Sequence, residues 1–441
     1  MHKTEYKTLQ EAVYHQTLDN GLTVYIVHKP DFRQTYASFT TQYGSVDREF
    51  VVASRGERVV VPDGIAHFLE HKMFEEEHGD VFQDFARYGA QANAFTTYDT
   101  TTYLFSSTAN VRENLMTLLD FVQRPYFTDE NVEKEKGIIG QEIAMYDEMP
   151  NWRCHSNFLR GLYGDHPMGI DIAGTLSSIQ KIRKEDLYDC YETFYHPSNM
   201  VLFVVGPEIP ERVISWVAEN QAKKNYTLQK PVQRFLPSAP AQPREQRVES
   251  ELTMAQPRVL FGFKETWQSP DAKERQLRET AMEVWMESLL GRGSPLYHAL
   301  MDEGLTDAGF GSDYELTPWY GHSQMGGNSN RPDELVERVL SALNQYGKEG
   351  LAQEDFERVR KKAMGRFFSL LDSPQGIAYV YTAQKLRGID VFTALDVLER
   401  MTIDHVMNAL RSHVNEEQLT VSLVRPKQPR ELVAGKGGTL Q

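Results

Sequence analysis

Two histidines four residues apart, His67 and His71, bracket Glu70 in the string HFLEH, where Ile65, Phe68, Leu69 and Met73 recur at helical spacing. On a helix, positions i and i+4 share one face a turn apart, so both imidazoles can approach one tetrahedral ion. A carboxylate beside them is the group that takes a proton from a metal-bound water, and H-x-x-E-H is the inverse of the zincin order H-E-x-x-H. The competing reading is a pair of surface or hydrogen-bonded core histidines. A catalytic zinc site also needs a third protein ligand, with the fourth position left to water. Along VEKEKGIIGQEIAMY the apolar stripe Val132, Ile139, Ile143 and Tyr146 also carries Glu135 and Glu142, which are therefore expected to point inward. Glu130, Glu133 and Glu148 fall off that stripe and read as a solvated face. Inward carboxylates require a metal, a cation or a hydrogen-bond network, the competing reading here being an internal ion pair to Arg or Lys.

The surrounding pattern predicts the elements that hold these residues. Residues 21–27, 36–45, 100–108 and 200–206 read as strands, and 64–75, 112–123, 129–146 and a segment from 186 to about 196 as helices. The order lacks a regular strand-helix-strand rhythm, which predicts an α+β fold with a mainly antiparallel sheet and helices on one face. The helix-then-strand plan of 186–207 returns at 404–426, and FTDENVEKEKGII from Phe127 matches LAQEDFERVRKKA from Leu351 in pattern. These repeats predict a duplicated unit: a metal-binding domain over 1–228, a Pro- and Gln-rich linker over 229–251 and a similar domain over 252–441. In the second copy, 281–291 stands opposite the HFLEH helix without a histidine, and Val359 and Arg366 stand where the first has Glu135 and Glu142. One metal per chain is expected.

The 441 residues exceed one hydrophobic core, in keeping with two domains. A formal net charge of −15 has the wrong sign for gripping phosphate backbones, so nucleic acid is excluded as a partner. Two cysteines, Cys154 and Cys190, make no disulfide framework, and no 18-residue apolar run could span a membrane, so a cytoplasmic protein is expected. His28, His78 and His322 lack a ligand partner at helical spacing and read as surface or loop residues. Gly326-Gly327 offers a candidate binding loop without the Lys-Ser/Thr of a phosphate cradle.

The strings PDGIAHFLEHKMF, EKEKGIIGQEI and FYHPSNM resemble the inverted-motif zinc metallopeptidases that include pitrilysin, insulin-degrading enzyme and the mitochondrial processing peptidase, and the similarity covers nearly the whole chain. The resemblance implies a clamshell of two similar domains and a zinc-dependent endopeptidase acting on extended or unfolded peptides. It implies zinc on His67, His71 and Glu142, Glu70 as catalytic base and Glu135 as a second catalytic carboxylate supporting the site. In GAQANAFTTYDTTTY it implies that Asn93, Ala94 and Phe95 lie on an edge strand that pairs with substrate backbone, since such an edge offers free N–H and C=O groups. The sequence departs from the family in the second half. Where relatives carry an Arg and a Tyr that reach the substrate, HALMDEGLTDAGFG has Met301 and Asp307, leaving Arg292, Tyr314 or Tyr320, or another subunit, to supply donors. The expectation is a metal-bearing subunit of a heterodimer whose companion has the same fold without the metal motif. The alternatives are a non-catalytic scaffold and a maturation protease for one peptide.

Overall fold

The computed structural model describes residues 1–77 and 79–427, so His78 lies outside the described residues. The first sheet has seven strands in the order His2–Tyr6, Glu11–Thr17, Thr23–His28, Met200–Gly206, Thr35–Thr41, Thr101–Ser107 and Ala90–Thr96. The second has five: Arg247–Leu252, Leu419–Pro426, Arg258–Phe263, Gly321–Asn328 and Gly311–Leu316. Both are antiparallel apart from one pair, and that exception is itself repeated. Met200–Gly206 enters between Thr23–His28, to which it is parallel, and Thr35–Thr41, to which it is antiparallel. Leu419–Pro426 enters in the same way between Arg247–Leu252 and Arg258–Phe263. The chain is thus the duplicated α+β fold that its internal repeats predict, in the clamshell form that the resemblance implies.

Strand alternation divides each sheet between two cores. In the first sheet Val24, Ile26, Ala37, Phe39, Leu202 and Val204 face the unit's own helices, while Val27, Tyr36, Phe203 and Val205 point the other way. That second face is covered by a helix from the opposite unit. Ile377, Ala378 and Tyr381 of Pro374–Leu386 pack on it, with Tyr381 stacked on Phe203 at 4.5 Å. Reciprocally, Pro150–Tyr163 of the first unit lies across the second sheet, close enough that a Cβ on Gly161 would sit 2.7 Å from Thr420 Cγ2. Helices of each unit therefore cover one face of its sheet, and the two units exchange one helix to cover the other. Coverage on both sides is why all seven residues of Thr35–Thr41 are buried.

Two expectations change. The linker cannot extend through residue 251, because Arg247–Leu252 is already a strand of the second sheet. Its alternation is weak, with Val248 its one fully buried apolar side chain, so composition alone assigned it to the connection. The preceding segment is tied down too: Phe235 N donates to Glu49 O at 2.8 Å and Val51 N to Gln233 O at 2.9 Å. His322 is a buried strand residue contacted by Tyr163 OH at 3.1 Å, so it is neither a surface nor a loop residue, and His28 is the half-buried last residue of a strand rather than part of a loop. Gly326-Gly327 is likewise in a strand, where a Cβ on Gly326 would meet Val259 O at 2.1 Å; close strand approach, not a binding loop, requires glycine there. Among the described residues no helix is long and apolar enough to cross a membrane.

Candidate metal centre

The helix Ile65–Met73 starts at Gly64, whose φ of 89° suits glycine and which approaches Ala173 so closely that a Cβ would fall 2.5 Å from its carbonyl oxygen. Ile65, Ala66, Phe68, Leu69 and Met73 bury the helix in the first core, leaving His67 and His71 on the face toward Asp129–Asp147. That second helix is started by a capping box between Thr128 and Asn131 and anchored by Val132, Ile139 and Ile143. One ligand atom each from His67, His71 and Glu142 lie within 4.8 Å of one another. Glu142 Oε2 stands 3.8 Å from His67 Nε2 and 3.5 Å from His71 Nε2. Two imidazole nitrogens and one carboxylate oxygen, partly buried and open on one side, form a donor set suited to zinc.

The neighbours of these groups fix their orientation. Glu135 does not join the three; its Oε1 lies 3.0 Å from His71 Nδ1, on the far side of the ring, so Nε2 faces Glu142. Glu135 Oε2 lies 3.9 Å from the ammonium of Lys72, which is fully buried and also pairs with Glu75. Glu142 is held by Tyr146, whose hydroxyl donates to Oε1 at 2.7 Å. Tyr146 in turn stacks on Trp152 at 4.5 Å and 17°, and Trp152 Nε1 donates to Asp171 at 2.6 Å. One carboxylate oxygen of Glu142 is thereby occupied and the other is turned toward the histidines. Glu70, also buried, accepts a hydrogen bond from Thr96 Oγ1 at 2.6 Å.

Electrostatics follow from this packing. Burial, assisted by the neighbouring His71, pushes His67 down to about 4, so it is neutral and able to ligate at neutral pH. For His71 burial acts in the same direction, but the Glu135 hydrogen bond and the surrounding carboxylates outweigh it and raise its pKa. Burial raises Glu70 above the usual carboxylate range, with the Thr96 hydrogen bond opposing. Burial and the Glu142 hydrogen bond lift Tyr146 to about 12, keeping its hydroxyl a donor.

Asn93, Ala94 and Phe95 lie on Ala90–Thr96, the last strand of the seven, paired on one side with Leu104, Tyr103 and Thr102. Its other edge pairs with no strand among the described residues. The same strand carries Thr96, so the free edge and the candidate base are joined by one hydrogen bond.

Residues 54–176 match the family model described as insulinase, peptidase family M16, and residues 181–363 match the model of the peptidase M16 inactive domain. The uncharacterized zinc protease YmfH of Bacillus subtilis is 46% identical over 423 residues, spanning 96% of this chain and 99% of that one. The chain belongs to peptidase family M16. An M16-like peptidase of Alicyclobacillus acidocaldarius, known from its crystal structure, superposes with a TM-score of 0.91 at 41% identity over 96% of this chain and all of the other. A mitochondrial-processing peptidase subunit beta of Arabidopsis thaliana is 21% identical over 391 residues, 83% of this chain and 71% of its own length.

The departures of this M16 chain are visible in its second half. Tyr314 OH donates to Glu265 at 2.6 Å and Tyr320 OH to Glu315 at 3.0 Å, while Arg292 Nη2 is 3.3 Å from Ala308 O. Asp307 accepts from Asn328 Nδ2, and Met301 packs against the second core. All five have partners in their own unit, and the ring of Tyr320 also packs against Tyr98 and Tyr163 of the first. The residues that sequence reasoning missed are Thr96, Lys72, Trp152 and Asp171; Tyr146 was placed only on the apolar stripe. A tyrosine four residues after Glu142 was the one available signal, because i and i+4 meet on a helix.

Proposed function

We propose that this chain is a zinc-dependent endopeptidase that cuts extended or unfolded peptides, acting as the metal-bearing member of a pair with a companion chain of the same fold. The observation that carries the reading is the convergence of His67, His71 and Glu142 beside a buried Glu70 that is hydrogen-bonded to an open edge strand. Zinc held by those three residues would polarise the scissile carbonyl and bring the pKa of a bound water to about 7. Glu70 takes the proton from the attacking water on the carboxylate oxygen that Thr96 leaves free, then returns it to the departing amine. Glu135 acts through His71 by orienting its ring, and is a positioning residue rather than a second catalytic group. Asn93, Ala94 and Phe95 offer main-chain groups along which a substrate adds as a further strand, so recognition of the backbone is independent of side chains. The two buried free thiols suit a cytoplasmic setting.

The companion is supported by the second half, whose candidate donors are engaged elsewhere, and by the relative named as a subunit beta. Glu70→Gln tests the chemistry: zinc is retained and turnover is lost, and a Glu70→Gln protein that still cleaves peptides removes the mechanism. Zinc bound at His67, His71 and Glu142 with no cleavage under any pairing supports the scaffold reading instead. The paired state is tested separately. A monomer that cleaves peptides as fast alone as with a companion removes that part of the proposal.

A further inference from the structure

Thr96, whose hydroxyl binds Glu70, is the last residue of the edge strand, and the turn that follows it, residues 97–100, is closed by local hydrogen bonds. Thr97 N donates to Thr100 O at 2.8 Å, Thr100 N donates to Thr97 Oγ1 at 3.0 Å, and the same hydroxyl lies 3.0 Å from Asp99 Oδ1. The other oxygen of Asp99 is held from the opposite unit: Oδ2 accepts from Arg387 Nε at 3.1 Å. Among the described residues this is the one ion pair that joins residues 1–228 to residues 252–427. Both side chains are largely withdrawn from water, 16% exposed for Arg387 and 12% for Asp99, so salt and solvent weaken the pair less than a surface pair.

Arg387 is itself fixed by the second unit. It is the C-cap of Pro374–Leu386, where a cation meets the negative end of the helix, and its carbonyl accepts from Nη2 of the buried Arg275 at 2.7 Å. Glu315 flanks the guanidinium at 3.6 Å and is held by Tyr320 OH, while the Tyr320 ring meets Tyr98 of the turn edge-on at 6.3 Å. Without the guanidinium, Asp99 and Glu315 are two like charges in one poorly hydrated place, and the turn must move to separate or hydrate them. A misplacement of about 1 Å that carries over to reacting groups can cost about 100-fold in rate. We propose that Arg387 is a positioning residue for peptide hydrolysis: through Asp99 it fixes the 97–100 turn, and with it Thr96 against Glu70 and the edge strand against His67, His71 and Glu142. The inference rests on the reading of the chain as a peptidase and gives the unit without the ligand set a part in the reaction.

The test is steady-state cleavage by the zinc-loaded protein, alone or paired, of the best-cut member of a library of internally quenched random peptides. Arg387→Ala should keep about one zinc per chain. Its kcat should fall about 100-fold and its KM should move by less than about threefold, because the main-chain groups of the strand still hold the peptide. Arg387 borders a cavity of about 270 Å³, so guanidinium ion, added well below unfolding concentrations, should enter the vacated place and raise kcat at least about tenfold. Asp99→Asn, a milder change of the same contact, should lower kcat as far, ignore guanidinium, and add nothing when combined with Arg387→Ala. A general loosening of the fold would give a loss that guanidinium does not restore, and separate roles would give additive losses. Either result, or a wild-type kcat in both single variants, overturns the positioning role and leaves the peptidase reading in place. Should Arg387→Ala not fold, Asp99→Asn carries the test, and a wild-type kcat there overturns the role. Failure of the wild type to cut any library member, alone or paired, overturns the peptidase reading and this inference with it.

Discussion

The same pair of helices occurs twice in this chain and is completed in two different ways. In the first unit, Ile65–Met73 and Asp129–Asp147 meet through two histidines and Glu142, an arrangement that leaves a ligand position open. In the second, Ala272–Leu290 and Gln353–Leu371 meet through Glu287, which pairs with Arg366 at 2.6 Å and with Lys362. Val359, fully buried, stands where Glu135 orients His71. A largely exposed ion pair thus replaces the ligand set, and a valine replaces the residue that would have steered a histidine. One scaffold carries both arrangements.

The largest test of this contrast is removal of a ligand. His67→Ala should take the metal content, measured by mass spectrometry, from about one zinc per chain to none, whereas Arg366→Ala should leave it unchanged. Next come the groups behind the ligands: Glu135→Gln and Tyr146→Phe should each weaken zinc by about 10–100-fold in chelator competition. If Tyr146→Phe instead keeps zinc affinity and lowers turnover alone, its hydroxyl serves the substrate rather than Glu142. In the exchanged helices, Phe158→Ala and Ile377→Ala should each cost about 2–5 kcal/mol. Both should shift one common unfolding transition, and two separated transitions would show that the units melt independently.

A smaller effect depends on pH. Glu265 in the second unit is buried, which alone would raise its pKa, but His413, Arg278 and Tyr314 outweigh burial and hold it below the usual carboxylate range. Its folded pKa is depressed, so its stabilising contribution is present above about 4.3, the ordinary value for glutamate, and is lost as pH falls below that. The melting-temperature gap between wild type and Glu265→Gln should be widest near neutrality and close on acidification; a gap independent of pH would exclude the charged form as its source. Smallest is Arg366→Ala itself, whose exposed ion pair should contribute less than about 1 kcal/mol.

The metal group was legible because its determinants are local. His67 and His71 are a turn apart, and Glu142 follows from the helical stripe that also predicted Asp129–Asp147. Glu135 was placed near the site by the same stripe, but its contact with the far nitrogen of His71 requires the angle between two helices, which spacing does not contain. Thr96, Trp152 and Asp171 come from three other segments, so only tertiary structure joins them to Glu70 and Glu142. The duplication was legible in pattern; the helix exchange was not, because an amphipathic helix reads alike whichever sheet it covers. The same exchange hides His322, which sits in a polar and glycine-rich strand with little apolar alternation yet is enclosed by Phe158 and Tyr163 of the other unit.

The exchange also sets an order of events during synthesis. When the last strand of the first sheet, Met200–Gly206, has left the ribosome, the helix that covers its outer face, Pro374–Leu386, has not yet been made. At about 5–20 residues per second the delay is on the order of ten seconds, during which Val27, Tyr36, Phe203 and Val205 remain bare. The nascent first unit should therefore be a client for chaperones that hold apolar surface. That face is closed only once Pro374–Leu386 has emerged, when most of the chain has been made.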